Sequence, residues 1–272
     1  MLVIVLKTIY RAFLLILFTG FGCAGVFAFM DDTPERSLAV ASALSNARWQ
    51  VLEDGFEVIH GQSETGAKLT AFRISSGKFS FEIDVQDHPK GERVNHIGER
   101  LEALFAINGG FFGETSTGEL YPVGLMSSKG VPDGKAWRTS GGYLVLGKKI
   151  HIIPSFEGMP LYAREYVQTK PVLIEPGGHW AMNTNSGIGK KRSIICLRPK
   201  GEIIITLVTG TGLSLFEAGW LMRSTKDGGF FDCDAAIAMD GGGSTQNWVA
   251  GHPELSYRGI SPVHNFLIMK RR

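Results

Sequence analysis

The chain has 272 residues, of which 44% are hydrophobic and 20% charged, with a formal charge of +2. That balance excludes a disordered chain, a collagen and a multi-span membrane protein, and the charge is too mild to imply a nucleic-acid partner. The 35 glycines, near twice the usual share, and 11 prolines point to many tight turns in a β-rich body.

Lys7 and Arg11 precede an uncharged run from Ala12 to Met30, and acids begin at Asp31 and Asp32. A basic start, an apolar stretch and small residues near its end read as a secretory signal over residues 1–28, cleaved after Val26-Phe27-Ala28. Residues 12–30 are also long enough to stay uncleaved as a membrane tether. Gly22-Cys23 is a weaker lipidation signal. Each reading places the protein outside the cytoplasm, in a periplasm or an extracellular space. Export puts Cys196 and Cys233 where a disulfide can form; pairing and two buried thiols both remain open. Residues 29–48, polar and rich in Ala and Ser, read as a linker.

From Trp49 onward the signals are those of strands. Residues 55–60 and 79–85 alternate apolar and polar side chains, as half-buried strands do. Between them Ala67 to Ile74 is a further strand, with Ser75-Ser76-Gly77-Lys78 as a hairpin turn. Residues 92–103 carry Val94, Ile97 and Leu101 at helical spacing, followed by a short apolar strand over 104–107. Further strands are expected at 142–146, 149–153, 167–174 and 193–197. Ile203 to Val208 lacks polar alternation and should be buried on both faces. Residues 213–223 form the second expected helix, and 235–239 and 266–269 are buried strands. Helices are too few to follow each strand. The expected fold is therefore α+β, one domain over 49–272, with a mixed, largely antiparallel sheet core and a few flanking helices.

Two segments carry the chemistry. Ala106-Ile107-Asn108-Gly109-Gly110 and Ala238-Met239-Asp240-Gly241-Gly242 each end a buried strand with Asn or Asp and then glycine. Glycine lets a ligand approach the backbone closely, and successive N–H groups in such turns form anion nests. The second copy continues as Gly243-Ser244. Other motifs are weaker. Val208 to Leu213 lacks the third glycine of a dinucleotide site, and no phosphate-binding P-loop or nucleophile elbow occurs. The seven histidines have no metal-ligand spacing, so no cofactor is expected, although Asp240 with backbone oxygens could hold a divalent cation.

Ala106 to Phe112, then Pro122-Val123-Gly124-Leu125, then Ala238 to Ser244 resemble the phosphodiester glycosidase domain family. Gln168 to Ile174 and Lys191-Arg192-Ser193 resemble segments of its bacterial branch, over a stretch of roughly residues 95–270. The chain departs from that branch at Thr169-Lys170 and at Ile195-Cys196. The resemblance implies an exported hydrolase that cleaves the sugar C–O bond of a glycosyl phosphodiester or a related envelope glycan; the family's lysosomal member removes N-acetylglucosamine from such a diester.

Such a reaction builds oxocarbenium character on the sugar while a phosphate ester, already a weak base, departs. The need for a paired acid and base relaxes, leaving one carboxylate near the anomeric carbon and fixed donors around the phosphate. Asp240 is the expected carboxylate, as base or nucleophile. Arg192 is the expected phosphate clamp, because its planar fork meets two oxygens. Asn108 would bond the sugar or orient water. Gly109, Gly110, Gly241, Gly242, Gly243, Ser244, Gln168 and Arg138 complete the expected substrate contacts. Two other functions compete: a noncatalytic glycan- or polyanion-binding protein, and a metal-dependent phosphodiesterase cutting the P–O bond.

Overall fold

β-Branched and aromatic alternation dominates the chain, and the fold is mostly sheet. A computed structural model describes residues 34–138 and 140–272; the expected signal or anchor lies outside the described residues. The first half runs α1 (Glu35–Ser45), β1 (Gln50–Glu53), β2 (Phe56–Gln62), β3 (Ala67–Ser75), β4 (Phe79–Val85), α2 (Val94–Arg100) and β5 (Phe105–Asn108). Shorter strands follow: β6 (Phe112–Glu114), β7 (Leu120–Pro122), β8 (Met126–Ser128), β9 (Val131–Asp133), β10 (Gly142–Leu146) and β11 (His151–Pro154). Next come β12 (Glu165–Thr169), β13 (Val172–Glu175), β14 (His179–Trp180), β15 (Lys190–Leu197) and β16 (Glu202–Leu213). The chain ends with α3 (Leu215–Met222), β17 (Ala235–Ala238), β18 (Asn247–Val249) and β19 (Asn265–Arg271). Among the described residues no helix is long and apolar enough to cross a membrane.

Three sheets share one core. The largest has the order β1-β2-β3-β16-β15-β17-β13-β14, the second β11-β10-β12-β8-β9 and the third β18-β5-β19-β4. Every strand pairing in them is antiparallel, so the expected mixture reduces to its antiparallel part. Phe72 of the first sheet, Phe105 of the third and Leu144 and Val167 of the second meet in this core, with the Phe72 and Phe105 rings 4.8 Å apart. Ile203 to Val208 is buried throughout, as its unbroken apolar run predicts. On the other face of the first sheet α1 and α3 bury Val40, Leu44 and Leu221 against Ile204 and Cys196. Helix α2 covers the third sheet with Val94 and Ile97.

Several expectations need correction. Residues 35–45 are not linker but helix α1, because Val40 and Leu44 fall one turn apart on the face that meets β2. Burying each contributes about 2 kcal/mol. Ser37 Oγ donates to Glu217 O at 2.6 Å and Arg36 Nε to Glu217 Oε1 at 2.7 Å, which locks α1 onto α3. The 75–78 turn does not make a hairpin: β3 pairs with β2 and β16, while β4 pairs with β19 in another sheet. The 167–174 run is split at Pro171, which has no N–H to give the ladder, and its halves join different sheets.

Cys196 and Cys233 form a disulfide, 37 residues apart in sequence. Replacing both by Ser is expected to lower stability by about 3–4 kcal/mol, the loop-closure value for that separation, measured by denaturant melting against the oxidised protein. Tyr143 is fully buried on the outer face of the second sheet, edge-on to Tyr166, and its hydroxyl has no partner among the described residues. Tyr143→Phe removes an unsatisfied polar group without a cavity, so it should stabilise the fold by about 1 kcal/mol in the same assay.

Candidate active site

The two glycine loops follow interior strands, β5 of the third sheet and β17 of the first, and are joined directly. The Asp240 N–H donates to Gly109 O at 3.1 Å, and Asn108 Nδ2 donates to Asp240 O at 2.7 Å. The strands fix this meeting. β17 pairs with β15 through Ile194 and Ala238, while β5 pairs with β19 through Asn108 and Phe266.

Asn108 itself lies behind the site. Its side chain is fully buried, and its Oδ1 accepts from Ser193 Oγ at 2.7 Å and from Gln246 N at 3.2 Å. Every polar atom of its amide is bonded within the protein, so it positions the Asp240 loop and does not face a sugar. The first glycine pair is spent in the same way. The Gly109 N–H donates to Asn265 O at 2.8 Å, and the Gly110 N–H to Asn265 Oδ1 at 2.7 Å. A Cβ on Gly109 would stand 2.0 Å from Asn265 Oδ1, so a side chain cannot fit there. The glycines serve close packing over Asn265, not an anion nest.

The second loop stays accessible. Asp240 and Gly241 to Gly243 are partly exposed, while Ser244 is buried. Gly242 has φ +61° with open space where a Cβ would stand, so its glycine answers to the backbone conformation. Asp240 Oδ1 accepts from Gly241 N at 2.8 Å, which ties one carboxylate oxygen to its own turn. Burial pushes the Asp240 carboxyl above the usual carboxylate range; the Ser244 hydroxyl and the Gly241 N–H oppose that shift.

Arg192 runs beside this turn. A Cβ on Gly241 would lie 3.9 Å from its Nη1. Its Nε donates to Leu213 O at 3.1 Å, which orients the fork, and burial lowers its pKa from the ordinary value. Among the described residues no carboxylate pairs with it. A part-buried guanidinium without a carboxylate can receive an external anion.

Gln168 is a clip. Its Oε1 accepts from Trp137 N at 2.8 Å and Leu125 N at 3.2 Å, and its Nε2 donates to Trp137 O at 2.6 Å and to Ser155 Oγ at 2.8 Å. It is buried and holds the 124–137 loop in place. Arg138, the next residue along, is exposed and bonds to neither glycine loop among the described residues. The clip sets Trp137 against Phe111, ring centroids 6.1 Å apart, over a recess of about 560 Å³ lined by Tyr121, Gly124, Asp133, Lys135 and Trp137. Lys170 lies with its ammonium 4.8 Å from the indole centroid.

Sequence reasoning missed Ser193, Asn265 and Lys170. Asn265 had a visible signal: His264-Asn265 is a polar pair directly before the apolar run Phe266 to Met269. Ser193 follows Arg192 into a buried strand, and only the register reveals its bond to Asn108.

The molecule is thus a β-rich α+β domain that brings the Asp240 carboxyl and the Arg192 guanidinium to the seam between two sheets. A family model for phosphodiester glycosidases matches residues 102–270, and the chain belongs to that family. No curated protein matches it. Among solved structures it is similar to the zebrafish N-acetylglucosamine-1-phosphodiester alpha-N-acetylglucosaminidase catalytic domain, auto-inhibited by its pro-peptide. The TM-score is 0.57 at 15% identity, covering 84% of this chain and 88% of that one. It is also similar to a hypothetical protein from Synechocystis, with TM-score 0.57 and 15% identity, covering 83% of this chain. This chain spans 64% of the Synechocystis protein. At such identities the likeness speaks for the fold.

Proposed function

We propose that the protein is an exported hydrolase that cleaves the sugar C–O bond of a glycosyl phosphodiester. The observation that carries this reading is the junction of the two loops, which leaves the Asp240 carboxyl partly exposed on the turn that Arg192 runs beside, with no carboxylate paired to that arginine among the described residues. Arg192 holds the phosphate through its terminal nitrogens, with the Gly241–Gly243 turn alongside. Asp240 acts at the anomeric carbon, as base on water or as nucleophile. Asn108, Gln168 and the Gly109-Gly110 pair hold these groups in place and do not contact substrate. Family membership supports the reaction class, and the Cys196–Cys233 disulfide supports an oxidising compartment.

The test is a screen of glycosyl phosphodiesters with the purified protein in ¹⁸O-labelled water. Label on the released sugar is the expected result. Label on the released phosphate would assign P–O cleavage instead. Binding without turnover of any diester would make the protein a glycan-binding module.

A further inference from the structure

The strands that carry the site have a second end. β15 and β17 pair from Ile194 with Ala238 to Leu197 with Ala235, and Asp240 follows the first of these pairs. In the second sheet Gly142 pairs with Thr169 near the site, and Leu146 pairs with Glu165 away from it. The run from Ala235 to Asp240 places roughly 15 Å between the two poles.

At the far pole lies a recess of about 500 Å³ whose lining includes Lys149, His151, Arg198, Lys200, Glu202 and Asp234. Glu202 is taken by Arg198 at 2.6 Å, which leaves Asp234 as the other acid. Lys149 and Lys200 are exposed, as are Lys148 in the β10–β11 turn and Arg164 before β12. Among the described residues no carboxylate pairs with these four cations. Lys200 also holds φ +67°, a left-handed conformation that is strained for a long side chain.

The strap between β11 and β12 crosses from the Gly142 end of the second sheet to its Glu165 end at the far pole, and turns its apolar side chains outward. Phe156, Met159, Leu161 and Tyr162 are 71%, 49%, 67% and 78% exposed. The strap is braced. The Ser155 N–H donates to Gly141 O at 3.0 Å, and Pro160 is buried. The Ala163 N–H donates to Pro160 O at 2.9 Å, closing a turn with Leu161 and Tyr162 at its corners, and Ala163 packs on Tyr143 and Tyr166. The Gly130 N–H donates to Arg164 O at 2.9 Å, which brings exposed Val131 to the same end. Apolar side chains held out by a fixed turn are a site of contact, since solvent gives them no reason to stay there.

We propose that this pole docks on an anionic phospholipid surface. Leu161 and Tyr162 enter the headgroup layer, and Lys149 and Lys200 take a headgroup phosphate in the recess between them. The charge complementarity selects this occupant: Arg164 follows the apolar turn and Lys148 and Lys149 lie in the neighbouring β10–β11 turn, against the single exposed acid of the strap, Glu157, and phospholipid surfaces offer dense phosphate above hydrocarbon. Docked in this way, the protein holds its Asp240 pole away from the bilayer, toward material extending from it.

Hydrogen exchange on the full chain tests the proposal, because it reads this pole separately from any contribution of residues 12–30. Vesicles of phosphatidylcholine with phosphatidylglycerol should slow exchange over residues 156–164 by about tenfold or more, and phosphatidylcholine alone should not. The paired change Leu161→Ser and Tyr162→Ser, at exposed turn corners, should remove the protection. The changes Lys149→Gln and Lys200→Gln should each weaken vesicle affinity about fivefold. Unchanged exchange over 156–164 in a chain that sediments with the vesicles would overturn the proposal, as would a chain that does not bind them. Protection by polyglutamate but not by vesicles would also overturn it and assign the pole to an acidic protein.

Discussion

Asp240→Asn should cut turnover of a glycosyl phosphodiester by about a thousandfold or more and, at neutral pH, raise the melting temperature. Both effects come from one setting. The carboxyl stands in a part-buried turn where desolvation works against its charge. A carboxyl whose folded pKa exceeds its unfolded one holds its proton more tightly when folded. Stability from that proton is full below the unfolded pKa and is lost as pH rises through the folded one. At neutral pH ionised Asp240 therefore weakens the fold, and Asn, which keeps an oxygen for the Gly241 N–H, relieves it. The advantage of the variant should shrink as pH falls toward the carboxylate range. Kinetics together with melts across that range check both halves; a variant with undiminished turnover removes Asp240 from the chemistry.

Arg192→Ala carries the second large effect. Loss of the fork should lower kcat/KM on phosphodiesters by about a hundredfold to a thousandfold, with neutral glycosides of the same sugar little affected. Arg192→Lys should recover only a small part, because an ammonium cannot meet two phosphate oxygens while also replacing the Nε bond to Leu213 O. Equal losses on charged and neutral substrates would show that Arg192 serves the fold.

What the sequence disclosed follows from how local each determinant is. Alternation located β2 and β4, and an unbroken apolar run located the buried part of β16, because burial on one face or two writes itself into neighbouring residues. The assignment of strands to sheets was not legible. Ser75 to Lys78 has the composition of a hairpin turn, yet the chain uses it to pass from one sheet to another, and only long-range pairing decides between those outcomes. Strands of three residues such as β6 to β9 carry too few positions to show a period. The paired loops were legible as glycine and carboxylate patterns, and Arg192 runs beside the turn that follows Asp240. The division of labour was not. Asn108, Gln168, Gly109 and Gly110 look like contact residues in sequence, but each is consumed by internal bonds whose partners lie tens of residues away. A polar side chain names the chemistry available at a position without saying which way it faces.

The Cys196–Cys233 bridge has a further effect on the chemistry. It links the end of β15 to the segment leading into β17, and these are the two strands that deliver Arg192 and Asp240. A slip of one residue between them would carry the guanidinium past the carboxylate and turn alternate side chains to the wrong face. The covalent link works as a detent against such sliding. The oxidation state of two sulfurs at the far end of these strands thereby sets how faithfully Arg192 and Asp240 stay in register.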